Sequence, residues 1–147
     1  DGSSASIIST SIPKGLPGEG NLMVFDNGGW GGYGVPNPAA PIGAKNAHRD
    51  YSRVLEFNPI TLEIVWKVTP KELGHAIPTD ASKFYSPYVS SAQRLPNGNT
   101  MITEGCCCRL FEVTADKEVV WEYYAPFDFD QAFIYRAYRY PYSYVPQ

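Results

Sequence analysis

Arg94-Leu95-Pro96-Asn97-Gly98-Asn99-Thr100-Met101-Ile102-Thr103-Glu104-Gly105, continued by Arg109-Leu110-Phe111-Glu112-Val113-Thr114 and Glu118-Val119-Val120-Trp121-Glu122-Tyr123, is the stretch that decides the fold. Pro96-Asn97-Gly98-Asn99 has turn chemistry, because Asn and Gly tolerate positive φ and Pro fixes its own. Thr100–Thr103 is β-prone, and Leu110–Thr114 alternates apolar and polar residues. Ala115-Asp116-Lys117 turns the chain, and Val119–Tyr124 forms a third β-rich run before Pro126. The chain contains this pattern twice. Gly20-Asn21 answers Gly98-Asn99, Arg53-Val54-Leu55-Glu56-Phe57 answers Arg109-Leu110-Phe111-Glu112-Val113, and Glu63-Ile64-Val65-Trp66-Lys67 answers Glu118-Val119-Val120-Trp121-Glu122. Pro70 and Pro126 close the two copies. Three segments matching in one order make an internal repeat, and short antiparallel strands with a repeated Trp predict propeller-type blades.

Outward from this stretch, Ile7–Ile12 and Tyr88–Leu95 supply a lead-in strand to each copy. The expectation is therefore all-β: two four-stranded antiparallel units, about residues 7–70 and 88–126, with one more strand at about 134–140. Lys71-Glu72-Leu73 before Gly74 predicts one helical turn, and no longer helix is expected. Asn27–Tyr51 carries Gly-Gly-Trp-Gly-Gly-Tyr-Gly and three prolines without strand or helix period, which reads as a long insertion loop. Two blades do not close a ring, since propellers have four to eight. Either a longer polypeptide or other subunits supply the remaining blades, the first partners expected, or the two units fold back on each other as a small sandwich; the longer polypeptide is the favoured reading. A first residue of Asp1 rather than Met suggests a processed product or a fragment.

Bulk composition narrows the functional classes. With 147 residues, 44% hydrophobic and 18% charged, the chain can bury a real core. A net charge of −3 without a dense basic patch argues against nucleic acid. No apolar run is long enough for a membrane span.

Leu16-Pro17-Gly18-Glu19-Gly20-Asn21-Leu22-Met23-Val24-Phe25-Asp26-Asn27-Gly28-Gly29, Ser90-Ser91-Ala92-Gln93-Arg94-Leu95-Pro96-Asn97-Gly98-Asn99-Thr100 and Ile134-Tyr135-Arg136-Ala137-Tyr138-Arg139, with Tyr51–Phe57, resemble the arylsulfotransferase-type proteins, a branch of the quinoprotein-like β-propellers. The likeness covers roughly residues 12–147 and is to the C-terminal blades. It implies a secreted or periplasmic propeller that passes a sulfuryl group from a phenolic sulfate ester to another phenol, through a channel-facing His and without a nucleotide donor. At the positions where such a His is expected, this chain has Ser-Ile-Ile-Ser-Thr-Ser and Tyr-Val-Ser-Ser-Ala-Gln. The alternative is a non-catalytic propeller segment that binds a partner or a glycan, or serves as scaffold.

Candidate site residues follow from chemistry. His48 and His75 are the two histidines, and His48-Arg49-Asp50 joins an imidazole to a cation and a carboxylate. Arg53 and Arg94 recur near strand ends, where they could hold an anion, although pairing with a neighbouring Glu or carbonyl is the simpler role. Trp66 and Trp121 are expected to pack between blades. Cys106-Cys107-Cys108 is a candidate redox or soft-metal site, weighed against packing thiols or a disulfide to another part of the protein. Contiguous cysteines do not give a C-x-x-C zinc spacing. No cofactor motif is evident beyond that triplet, and Asp128-Phe129-Asp130 offers only two carboxylates toward calcium.

Overall fold

The computed structural model describes residues 8–28, 49–126 and 133–145. The repeated apolar–polar runs form eight strands. The first sheet holds β1 (Ile8–Ser11), β2 (Leu22–Asp26), β3 (Arg53–Phe57) and β4 (Ile64–Val68). The second holds β5 (Ser90–Arg94), β6 (Thr100–Glu104), β7 (Arg109–Val113) and β8 (Val119–Tyr124). Each is an antiparallel meander in chain order, and neither closes on itself. The all-β architecture with two four-stranded antiparallel units is thus as expected.

The two sheets share one register. Met23 faces Glu56 and Glu56 faces Trp66; Met101 faces Glu112 and Glu112 faces Trp121. A register shift falls after each of these glutamates, between Glu56 and Phe57 and between Glu112 and Val113. The turns before β2 and β6 also agree: Ile12 N donates to Asn21 O at 2.9 Å, and Leu95 N to Asn99 O at 2.8 Å. These bonds make Ser11 the counterpart of Arg94.

The core lies where the sheets face each other. Met23, Phe25, Val54 and Val68 of the first sheet meet Ala92, Ile102, Phe111 and Val113 of the second, with β2 and β5 in contact. Phe84 fills the gap between them. It sits at the end of a 3₁₀ turn (Ala81–Phe84) in the connection, fully buried. Its ring meets Phe25 and Phe111 edge-on, each at 5.6 Å. Edge-to-face packing suits the aromatic quadrupole and adds to the area buried. The helical turn expected near Lys71 is present: Leu73 N donates to Thr69 O and His75 N to Pro70 O, while Glu72 accepts from Thr69 N at 2.9 Å. Thr69 and Glu72 have capping-box spacing, and Gly74 ends the turn at φ +83°.

Around Phe84, buried polar groups tie the connection to both sheets. Ser52 N donates to Phe84 O at 2.9 Å, and Ser86 N to Ser52 Oγ at 2.8 Å. Asn27 Nδ2 donates to Ser86 O at 2.7 Å and to Ser90 Oγ at 2.8 Å. Buried amides and hydroxyls cost free energy unless partnered, and these are partnered.

The segment expected as a ninth strand forms no ladder. Beyond a bend at Tyr135, residues 136–140 lie along the second sheet without strand pairing, held through Ala137 and Arg139, and Tyr142–Tyr144 is a 3₁₀ turn. Among the described residues, no helix is long and apolar enough to cross a membrane.

Candidate functional site

Arg94 stands at the end of β5 and reaches across to the first sheet. Its Nη2 pairs with Glu56 Oε2, its Nη1 donates to Thr100 Oγ1 at 2.8 Å and Gly98 O at 3.1 Å, and its guanidinium lies 4.9 Å from the Trp66 ring. Both charged side chains are nearly inaccessible, 4% for Arg94 and 6% for Glu56. Glu56 Oε1 accepts from Asn21 Nδ2 at 2.7 Å. Trp66 Nε1 donates to Ala115 O, in the β7–β8 turn, at 2.8 Å. A buried carboxylate requires such company, because an unpaired charge in this setting would be strongly destabilising.

The same set occurs on the far face of the second sheet. Glu112 Oε1 accepts from Asn99 Nδ2 at 2.7 Å and from Asn97 Nδ2 at 3.1 Å. Its other oxygen pairs with Arg139, whose guanidinium lies 4.8 Å from the Trp121 ring. Burial alone would raise the Glu112 pKa; the hydrogen bonds from Asn99 and Asn97 and the Arg139 charge overcome it and hold the group below its ordinary value.

Arg53 belongs to a different pair. It faces Asp26 across β2 and β3, and its Nε lies 2.8 Å from Asp26 Oδ2, with Arg49 Nη2 2.6 Å from the other oxygen. Desolvation pushes the Asp26 pKa up, and the two arginines more than reverse it. In register, the counterpart of Arg53 is Arg109, which faces Glu104. Arg109 lies between Glu104 at 3.1 Å and Glu122 at 2.6 Å. Burial would lower its pKa, but the two carboxylates raise it. Arg53 and Arg94 therefore sit in separate ion pairs rather than facing one anion.

The cysteines occupy the β6–β7 corner. Gly105–Cys107 is a 3₁₀ turn and Cys108 takes a left-handed φ of 53°, so the three side chains do not follow a strand's alternation. All three are free thiols. Cys106 Sγ lies 3.1 Å from Tyr88 O and Cys107 Sγ 3.7 Å from Tyr85 O. Burial, with the neighbouring Glu104 carboxylate, pushes the Cys107 pKa up to about 11. A thiol held protonated is a poor nucleophile and metal ligand. Among the described residues no three His, Cys, Asp or Glu side chains are grouped to hold a metal ion. His48 and the Asp128-Phe129-Asp130 calcium candidate lie outside the described residues. His75 is half-buried beside the helical turn, at the first residue beyond Gly74.

A groove of about 670 Å³ opens where the ends of β1 and β5 meet the extended C-terminal segment. Ile12, Leu95, Pro96, Tyr138, Tyr140 and Pro141 give it an apolar, aromatic wall. Arg94 and Arg139 contribute to the lining, each already paired with a carboxylate. Among the described residues that line the groove there is no histidine.

The sequence singles out Trp66, Trp121 and Arg94, but not Arg139 or the partners Glu56 and Glu112. The signal was present: both glutamates hold the same place in the two aligned Arg-x-x-Glu segments. The sequence matches no protein-family model, and no curated protein or solved structure matches the chain.

Proposed function

We propose that the two sheets are neighbouring blades of a propeller of the arylsulfotransferase-like kind, and that this part of the protein supplies the wall against which a phenolic ring rests. The observation that carries this reading is the groove. Its walls come from the ends of successive first strands, the position of a propeller's central channel. Tyr138 and Tyr140, with Leu95 and the prolines, suit a flat aromatic ligand. The groove's two guanidiniums are each neutralised by a glutamate, so the sulfuryl-accepting group and the cations that hold a sulfate are assigned to other parts of the protein. The resemblance in sequence is what supports sulfuryl transfer between phenols and a secreted or periplasmic setting.

A second reading, a non-catalytic propeller segment for binding or scaffolding, is favoured by the same saturation of Arg94 and Arg139. Two measurements separate the readings. The first titrates the protein with 4-nitrophenol and 4-nitrophenyl sulfate and follows the Tyr138 and Tyr140 ring signals by NMR. Saturable binding is expected, weakened several-fold by Tyr138→Ala, as befits loss of one stacked ring; unmoved ring signals would end the ring-wall assignment. The second assays transfer from 4-nitrophenyl sulfate to phenol. Turnover by this chain alone would overturn both the placement of the sulfuryl-accepting group elsewhere and the non-catalytic reading.

A further inference from the structure

What residues 133–140 touch on the second sheet matches what β5 touches on the first. Arg94 meets Glu56 and Trp66, and Arg139 meets Glu112 and Trp121. Gly105 lies beneath both incoming strands: a Cβ there would fall 2.4 Å from Val89 O and 2.2 Å from Ile134 O. In sequence, Ala92-Gln93-Arg94 is answered by Ala137-Tyr138-Arg139.

Backbone hydrogen bonds distinguish the two edges of this segment. Ala137 N donates toward Ser91 Oγ at 3.3 Å and Thr103 Oγ1 at 3.2 Å, and Arg139 N to Gln93 Oε1 at 2.7 Å. These amides turn to the second sheet. Those of Arg136, Tyr138 and Tyr140 turn the other way by the two-residue period of extended chain, and no described residue accepts from them. Leu95 holds the place of Tyr140, and its N–H donates into the second sheet at Asn99 O. The edge left open at 136–140 is thus the one on which β5 meets its own sheet. The edge faces solvent, and an exposed row of backbone donors on a segment docked like an inner strand is a ready template for a further strand. The tryptophans agree. Trp66 Nε1 is capped by the turn carbonyl of the following sheet, whereas Trp121 is 39% exposed and no described residue accepts from its Nε1.

We infer that residues 134–140 are the inner strand of a third four-stranded sheet, and that the partner completing it is a three-stranded antiparallel unit that lacks an inner strand of its own. This rests on the propeller-type reading above and adds the occupant. The partner places a strand along Arg136–Tyr140, covers Leu110 and Tyr123, and offers a turn carbonyl to Trp121 Nε1. A second copy of the chain fits less well. Its first sheet already carries β1, which would occupy the place of 134–140, with Ser11 where the joint uses Arg139.

The test adds a polypeptide of residues 95–126, the three strands β6–β8 without β5, to the full chain and follows amide exchange by mass spectrometry. Protection of the 134–140 segment is expected to rise about tenfold or more. Tyr138→Pro, which removes an outward N–H and leaves those of Ala137 and Arg139, is expected to abolish the gain. A covalent form, residues 1–139 continued by 95–126, is expected to melt above the parent chain. Exchange and melting both unchanged would overturn the inference, as would a stable dimer of the chain alone with 134–140 already protected. Phenol binding that persists in those cases would leave the groove reading standing and isolate the failure to the occupant.

Discussion

The joint between the two sheets and the joint between the second sheet and the C-terminal segment use the same four residue types in different surroundings. Asn21, Glu56, Trp66 and Arg94 form the first; Asn99, Glu112, Trp121 and Arg139 form the second. At the first, Arg94 is sealed beneath two sheets. At the second, the Arg139 side chain is 41% exposed. The chemistry of a contact and its energetic weight are therefore separate matters here, and burial sets the weight.

The largest effect should come from the element present only at the inner joint. Phe84→Ala is expected to destabilise by about 3–5 kcal/mol, because it empties the space between Phe25 and Phe111. Urea denaturation measures it, and a loss below ~1 kcal/mol would break the view that the sheets are packed through this ring. Next, Arg94→Ala leaves Glu56 charged and buried, and about 3 kcal/mol or more should be lost. Arg139→Ala at the outer joint should cost ~1 kcal/mol or less, since Glu112 keeps Asn97 and Asn99 and the lost cation was half in water. Equal costs would abolish the distinction between the joints.

Acid should sharpen the contrast further. Asp26 and Glu112 both titrate below their ordinary values when folded. A depressed folded-state pKa means the unfolded chain takes up the proton first. The stability these groups contribute is therefore present above the ordinary carboxylate range and lost as pH falls through the lowered folded values. Asp26→Asn should flatten the acid side of a stability–pH curve, and an unchanged slope would count against the Arg49–Asp26–Arg53 cluster. The smallest effect is kinetic. Cys107, exposed as a residue but with its thiol partly desolvated beside Glu104, should react with iodoacetamide slowly at neutral pH and faster as pH approaches about 11. Rapid labelling of Cys107 at pH 7, located by peptide mapping, would contradict the protonated thiol.

Much of this was legible in the residues. β8 has the bounds that β-prone composition and the flanking turn and proline give, and the two copies align in register. Ile134–Tyr140 alternates like a strand and docks on the second sheet, but alternation cannot tell whether a neighbouring strand is there to pair with it. Arg53 and Arg94 were grouped because both stand near strand ends; register, which a single sequence does not display, separates them into the Asp26 and Glu56 pairs. Nothing in the composition around Glu56 and Glu112 marks them as buried, since charge usually goes with a wet face. Their burial depends on an arginine contributed from elsewhere in the chain. Phe84 was hidden for a related reason. It lies in a connection with no period, and only the meeting of two sheets gives it a role.

The glutamate at each joint belongs to the sheet that comes earlier in the chain, and the arginine to the segment that comes later. The contact therefore has a polarity. In this chain both glutamates are already met, Glu56 by Arg94 and Glu112 by Arg139, so a second copy set against either across a twofold axis finds no free carboxylate there. A further sheet joined in the same way would follow head-to-tail, each later segment bringing an arginine to the glutamate of the sheet before it.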